Sequence, residues 1–148
     1  MIRFMKKEDI TSLVTIENDS FKDGKYSKNQ LLYEYNENPF SKILVNVDNN
    51  LVNAFLIYMV TFNSATIVQI AVTPKLRRKG IATKLLKAME KELLKKGYGQ
   101  VENVTLEVRD SNKSAIKLYL KNGYTKNHVK KKYYDNGDNA IYMMKVLL

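Results

Sequence analysis

The sequence predicts an α+β fold, a mixed sheet of about seven strands with four helices on its faces, and three observations carry that prediction. Strand-like and helix-like periodicities follow one another as strand, two helices, three strands, helix, strand, helix, two strands. The third helix is strongly amphipathic: Ala82, Leu85, Leu86, Met89 and Leu93 form one stripe, with Lys84, Lys87, Lys91 and Lys95 opposite it. The run 65–72 is apolar on both parities except at Thr66 and Gln69, as a strand covered on both faces reads, which places it in the middle of the sheet.

Taken in order, residues 2–5 read as a short strand and residues 8–21 as a helix through Ile10, Leu13, Val14, Ile16 and Glu17. Ser27 caps a second helix carrying Leu31, Leu32 and Tyr35, and Asn38-Pro39 closes it. Strands 43–47 and 51–62 flank Asp48-Asn49-Asn50, a hairpin turn. Gly97 is placed to end the third helix. Val104, Leu106 and Val108 alternate with Thr105, Glu107 and Arg109 in a half-buried strand. Ser111 or Asn112 caps a fourth helix bearing Ile116, Tyr119 and Leu120, which Gly123 ends. Strands 124–129 and 140–147 close the chain around Asp135-Asn136-Gly137-Asp138.

Composition bounds the function. A chain of 148 residues suits one domain spanning 1–148, with a real core. Its longest apolar run, 54–60, is far too short to cross a bilayer, and the first residues lack a signal peptide's apolar region. With no cysteine there is no disulfide framework, thiolate metal site or cysteine nucleophile, and a single histidine rules out a histidine cluster. The expectation is a cytoplasmic protein without a metal, and nothing in the sequence demands more than a monomer. The net charge of +10 permits binding to polyanions, but the lysines are scattered over solvated faces, so direct nucleic-acid recognition is not expected.

Between the central strand and the third helix stands Val72-Thr73-Pro74-Lys75-Leu76-Arg77-Arg78-Lys79-Gly80-Ile81-Ala82-Thr83. Strand, basic glycine-bearing loop and helix start in that order make an anion site, because the first amides of a helix lack intrahelical partners and carry the positive end of its dipole. Gly80 leaves the backbone open to close approach. Neither G-x-x-x-x-G-K-[ST] nor G-x-G-x-x-G occurs. Arg77-x-x-Gly80-x-Ala82 instead resembles the [Q/R]-x-x-G-x-[G/A] pyrophosphate loop of the GNAT acyl-CoA N-acyltransferases.

Two further motifs sharpen the resemblance. Leu106-Glu-Val-Arg-Asp-Ser-Asn112-Lys-Ser-Ala-Ile-Lys-Leu-Tyr119-Leu-Lys-Asn-Gly123-Tyr is similar to the L-E-V-R-x-S-N-x-x-A-x-x-L-Y-x-x-x-G-F signature of RimI-type N-terminal acetyltransferases. Lys132-Tyr133-Tyr134 followed by Asp138-Asn139-Ala140-Ile141-Tyr142-Met143 resembles that family's Y-Y…E-D-A-x-x-M ending. The first third matches only in layout, with Lys22-Asp23-Gly24-Lys25-Tyr26-Ser27 where P-W-S is common and Asp138-Asn139 in place of E-D. Both departures fall where the acceptor should bind.

The resemblance implies a GNAT-type, mostly antiparallel central sheet, acetyl-CoA as co-substrate and a protein α-amino group as acceptor, the N-terminal alanine of a small-subunit ribosomal protein. Glu107 would accept the amine's proton, and its parity opposite Val104, Leu106 and Val108 agrees with a group able to do so; a solvated strand carboxylate is the plain alternative. Tyr119 would protonate the leaving thiolate, although it also fits a core stripe. Ile70, Ala71 and Val72 would bind pantetheine through their backbone. Arg77 belongs to the loop motif, and Arg78, Lys79, Gly80, Ile81, Ala82 and Thr83 would hold the pyrophosphate. Asn112 would bond the pantetheine arm or simply cap its helix. Tyr133 and Tyr134 would contact the acceptor. His128 is read as structural. Lacking cysteine and a G-x-S-x-G elbow, the chain favours direct transfer in a ternary complex. A GNAT enzyme acting on a lysine side chain or small amine, and a non-catalytic RNA- or ribosome-binding module, stay open as alternatives.

Overall fold

The computed structural model of the protein describes residues 1–95 and 101–147. Its elements follow the expected order: β1 (Ile2–Phe4), α1 (Ile10–Ser20), α2 (Lys28–Asn36), β2 (Ser41–Asp48), β3 (Leu51–Thr61), β4 (Ser64–Val72), α3 (Ile81–Leu93), β5 (Asn103–Arg109), α4 (Lys113–Lys121), β6 (Thr125–Lys130) and β7 (Ala140–Val146). The expected helix 8–21 begins later, because Lys7–Asp9 forms a separate 3-10 turn. The proposed stop at Gly97 lies outside the described residues.

Local chemistry accounts for the ends. The Ser27 hydroxyl accepts from the Gln30 amide while the Gln30 side chain accepts from the Ser27 amide, a closed capping box on α2. Asn49 and Asn50 both have positive φ, 52° and 62°, as a tight hairpin twisting with its strands requires. Of the two candidate caps of α4, Asn112 does the capping; its Oδ1 accepts from the Ala115 amide at 3.2 Å.

The strands form one sheet in the order β1-β2-β3-β4-β5-β7-β6, so β4 is its middle strand, as its apolar sequence suggested. All neighbours are antiparallel except β4 and β5, which are parallel and joined through α3. The two faces carry separate cores. Against one, α1 and α2 bury Leu13, Ile16 and Leu31 on Val45, Phe55, Ile57 and Ala71. Against the other, α3 and α4 bury Leu85, Leu86, Met89, Ile116 and Tyr119 on Leu56, Val104, Leu106 and Met143. Leu120 does not share that stripe: it is 46% exposed, because the helix turns it away from the sheet that Ile116 and Tyr119 meet.

Two irregularities in β4 create the functional region. Ile57 pairs with Gln69 and Tyr58 with Ile67, which leaves Val68 as an extra, bulged residue. The pairing with β5 stops after three residues, Ser64, Ala65 and Thr66 opposite Asn103, Val104 and Thr105. Beyond Thr66 the two parallel strands part, and residues 67–72 keep strand partners on the β3 side only, among the described residues.

Candidate functional site

Where β4 leaves β5 the sheet opens into a cleft of about 960 Å³. Its floor is the 66–70 stretch of β4 and the 105–109 stretch of β5; α4 supplies Asn112, Ala115 and Tyr119, and the α1–α2 and β6–β7 loops stand at its rim. The parting is a consequence of the bulge, since a strand with an extra residue bends away from its straight neighbour.

Glu107 and Tyr119 come from β5 and α4 and line this one cleft. Glu107 stands on the β5 face opposite Val104, Leu106 and Val108 and is half-buried, as its parity required. Its Oε1 accepts from Lys130 Nζ at 2.6 Å, an ion pair that raises the lysine's pKa through the hydrogen bond itself. Tyr119 is buried, its ring meeting Tyr124 edge-on at 5.6 Å, and its hydroxyl has no partner among the described residues. Burial pushes its phenol far above the ordinary value, so at neutral pH it is a fully protonated donor.

Tyr133 and Tyr134 also line the cleft, edge to face with ring centres 5.1 Å apart. The Arg109 guanidinium lies 3.9 Å from the centre of the Tyr134 ring, within cation–π range, and its Nη1 donates to Asn136 Oδ1 at 3.0 Å. Burial raises the Tyr134 phenol, with the Glu107 charge adding to it. His128 stacks on Tyr142 at 4.6 Å, a structural contact as expected.

The basic loop lies past the end of β4, beyond the walls of this cleft. Arg78 and Gly80 both have left-handed backbone, φ 63° and 83°, and curl the chain around Lys79 into the kind of turn whose amides converge on an anion. No side chain caps α3, and the amides of Arg78, Lys79, Gly80, Ile81, Ala82 and Thr83 donate to no protein group among the described residues. A Cβ on Gly80 would meet nothing within 4 Å; its left-handed φ is what calls for glycine. Arg77 is tied up locally, with Nε on the Val72 carbonyl and Nη2 on Ser20 Oγ, both at 3.0 Å. Thr83 Oγ1 accepts from Asn122 at 3.2 Å, which links the start of α3 to the end of α4.

Of the strand residues expected to meet a coenzyme, Ile70 lines the cleft, while Ala71 is buried against the α1–α2 core and Val72 is half-buried. Their outer backbone edge has no strand partner among the described residues, and Arg77 Nε occupies its Val72 carbonyl. Asn112 lines the cleft, with Oδ1 used as the helix cap and Nδ2 left without a partner among the described residues.

Sequence reasoning missed a buried clamp behind the floor. Glu17 is fully buried, and its Oε2 accepts from the Tyr26 amide and from Gln69 Nε2, each at 2.7 Å, while Oε1 has no partner among the described residues. Loss of water raises its pKa. The clamp fastens the α1–α2 loop to the middle strand beside its bulge. A charged residue within the α1 stripe and the glutamine interrupting the apolar run 65–72 were its two visible signals.

The arrangement joins three capacities: an anion cradle, a strand edge able to take an extended chain, and a carboxylate and a neutral phenol that line one cleft. A model of the Acetyltransferase (GNAT) family matches residues 10–124. A Bacillus subtilis protein described as a putative [ribosomal protein bS18]-alanine N-acetyltransferase is 32% identical over 96% of this chain and 92% of its own. The Escherichia coli [ribosomal protein bS18]-alanine N-acetyltransferase is 38% identical over 64% of each chain. A crystal structure of the ribosomal-protein-S18-alanine N-acetyltransferase from Escherichia coli superposes with a TM-score of 0.87 at 28% identity, over 99% of this chain and 93% of that one.

Proposed function

From the premise that this chain belongs to the GNAT acetyltransferase family, we propose that it acetylates a protein N-terminal α-amino group, that of an alanine on a small-subunit ribosomal protein. Acetyl-CoA supplies the activated acetyl group as a thioester. The residues present fit such a co-substrate: the six amides of 78–83, unpartnered among the described residues, suit a pyrophosphate, and the outer edge of Ile70, Ala71 and Val72, occupied only where Arg77 holds the Val72 carbonyl, suits the amides of an extended pantetheine arm. The Asn112 amide group is free to donate to the same arm.

The observation that most supports the reading is that Glu107 and Tyr119 line one cleft at the parting of β4 and β5. Glu107 takes the acceptor's proton, directly or through one water. A protein α-amine, with a pKa of ~7.7–8.0, is already neutral in about a third of molecules at pH 7.5, so the base is asked for little. Tyr119 gives its proton to the departing thiolate, whose thiol titrates near ~8.5. Backbone amides of β4 polarise the thioester carbonyl, and an oxyanion donor of that kind is worth about 10²–10³ in rate. Tyr133 and Tyr134 contact the acceptor's first residues. Without a cysteine to carry the acyl group, transfer is direct, within a ternary complex.

A lysine side chain or a small amine is the rival acceptor, favoured by the segment Lys22-Asp23-Gly24-Lys25-Tyr26-Ser27, which replaces the family's usual residues at the rim. An acceptor panel decides. Purified protein with acetyl-CoA should acetylate alanine-starting peptides far faster than lysine peptides blocked at the N-terminus or polyamines. A reversed order assigns the rival, and no turnover on any acceptor removes the proposal.

A further inference from the structure

The amine nearest the proposed base belongs to the protein itself. Lys130 lies on β6, the outermost strand, opposite Ala140 of β7; Glu107 lies on β5, opposite Tyr142 of β7. The lysine side chain therefore reaches across an intervening strand to bring Nζ to 2.6 Å from Glu107 Oε1. Its ammonium also stands 5.1 Å from the centre of the Tyr133 ring, and Glu107, Tyr133 and Tyr142 are all walls of the cleft. An acceptor amine meeting a general base must come to about 2.6–3.2 Å of it, the relation Lys130 already has.

We infer that Lys130 is an internal acetyl acceptor, a site of intramolecular self-acetylation carried out by Glu107. The inference rests on the functional reading above. In the step, the neutral Nζ attacks the thioester carbonyl carbon of acetyl-CoA, a C–N bond forms and the C–S bond breaks. The proton lost from nitrogen goes to Glu107, and Tyr119 gives its own proton to the departing sulfur so that CoA leaves as the thiol. Glu107 and Tyr119 return to their starting states by exchange with water. The product is a neutral amide on Lys130, which ends the ion pair and leaves Glu107 without its resident cation.

The groups facing Nζ set the rate. Glu107 on β5, Tyr142 on β7 and Tyr133 in the β6–β7 loop all favour the charged amine. An ordinary lysine is neutral in only about one molecule in 10³ at pH 7.5, and Lys130 is neutral less often still. An incoming α-amine therefore outcompetes it at neutral pH, and self-acetylation is a slow reaction that alkaline conditions expose.

The test incubates the whole protein with acetyl-CoA alone at about pH 9 and maps acetyl groups by peptide mass spectrometry, alongside turnover of an alanine-starting peptide. Lys130 should label at least about tenfold faster than the other lysines, at a rate independent of protein concentration. Glu107→Gln should abolish that excess. The sign discriminates, because releasing Lys130 from its ion pair would speed a purely chemical acetylation. Lys130→Arg keeps the cation without an amine to acylate and should lose only that label. Labelling of Lys130 no faster than of other lysines, or faster in Glu107→Gln, in a preparation that turns over the peptide, overturns the inference alone. A preparation that acetylates neither peptide nor Lys130 overturns the functional reading with it.

Discussion

Replacing Gly80 by glutamate should weaken acetyl-CoA binding through charge rather than through lost space. A Cβ at this position meets nothing within 4 Å, so packing contributes no cost. The left-handed φ of 83° costs any L-residue roughly 1–2 kcal/mol, which for a chain of this size lowers Tm by about 2–8 °C. Gly80→Ala carries that strain alone and is the control. The carboxylate adds a charge beside the amides of 81–83. At about 6 Å from a phosphate, two unit charges repel by ~0.7 kcal/mol in bulk water and ~3 kcal/mol at an effective dielectric near ~20. The affinity loss of Gly80→Glu relative to Gly80→Ala should therefore lie between about 3-fold and about 100-fold, shrinking as salt is raised. Isothermal titration calorimetry with acetyl-CoA reads it directly. Equal affinities for the two variants would place the phosphates somewhere other than this loop.

Glu107→Gln should lower kcat by about 10²-fold or more while calorimetric acetyl-CoA affinity is kept, and wild-type turnover would take Glu107 out of the chemistry. Tyr119→Phe removes a hydroxyl with no partner among the described residues and keeps the edge contact to Tyr124 at 5.6 Å, so stability should hold within about 0.5 kcal/mol. Its kcat should fall by about 10²-fold, and a variant that loses stability instead of turnover assigns Tyr119 to the core. Glu17 gives a pH signature. Its folded-state pKa is raised, so the folded protein binds more protons than the unfolded chain just above the ordinary carboxylate range, and stability from this group is present at low pH and lost as pH rises. The Tm of wild type relative to Glu17→Gln should accordingly decline from about pH 4 to about pH 7; a difference that grows with pH would mean the carboxylate is stabilised where it sits.

The fold was legible wherever the deciding chemistry is local. The Ser27 cap, the Asn49-Asn50 turn and the α3 stripe each lie within a few residues, and the structure has all three. Leu120 was misread because the nine-residue helix buries Ile116 and Tyr119 and leaves Leu120 exposed, a narrower stripe than apolar composition suggests. The candidate anion loop was readable for the same reason as the caps, since strand end, left-handed turn and helix start are consecutive. The Glu17 clamp was not, because its partners Tyr26 and Gln69 are separated from it by 9 and 52 residues. Nor was the Lys130–Glu107 pair, which spans 23 residues and an intervening strand.

That division explains why reaction type reads more easily than acceptor. Two departures from the family pattern, Gly24 in the first loop and Asp138-Asn139 before β7, look independent along the chain. In the structure they meet at one side chain. Arg109 Nη2 stands 3.1 Å from where a Cβ on Gly24 would sit, and Arg109 Nη1 lies 3.7 Å from Asp138 Oδ2. The same guanidinium covers the Tyr134 ring, and Asp138 is held in turn by Ser111 Oγ at 2.8 Å. A side chain at residue 24 would press on Arg109, and a longer carboxylate at 138 would reach past it, so each departure suits the other. The rim at this end of the cleft is thus one interlocked unit made from three distant segments. Local motifs can announce a candidate coenzyme loop. The proposed acceptor end is built from contacts that no single stretch of the sequence contains.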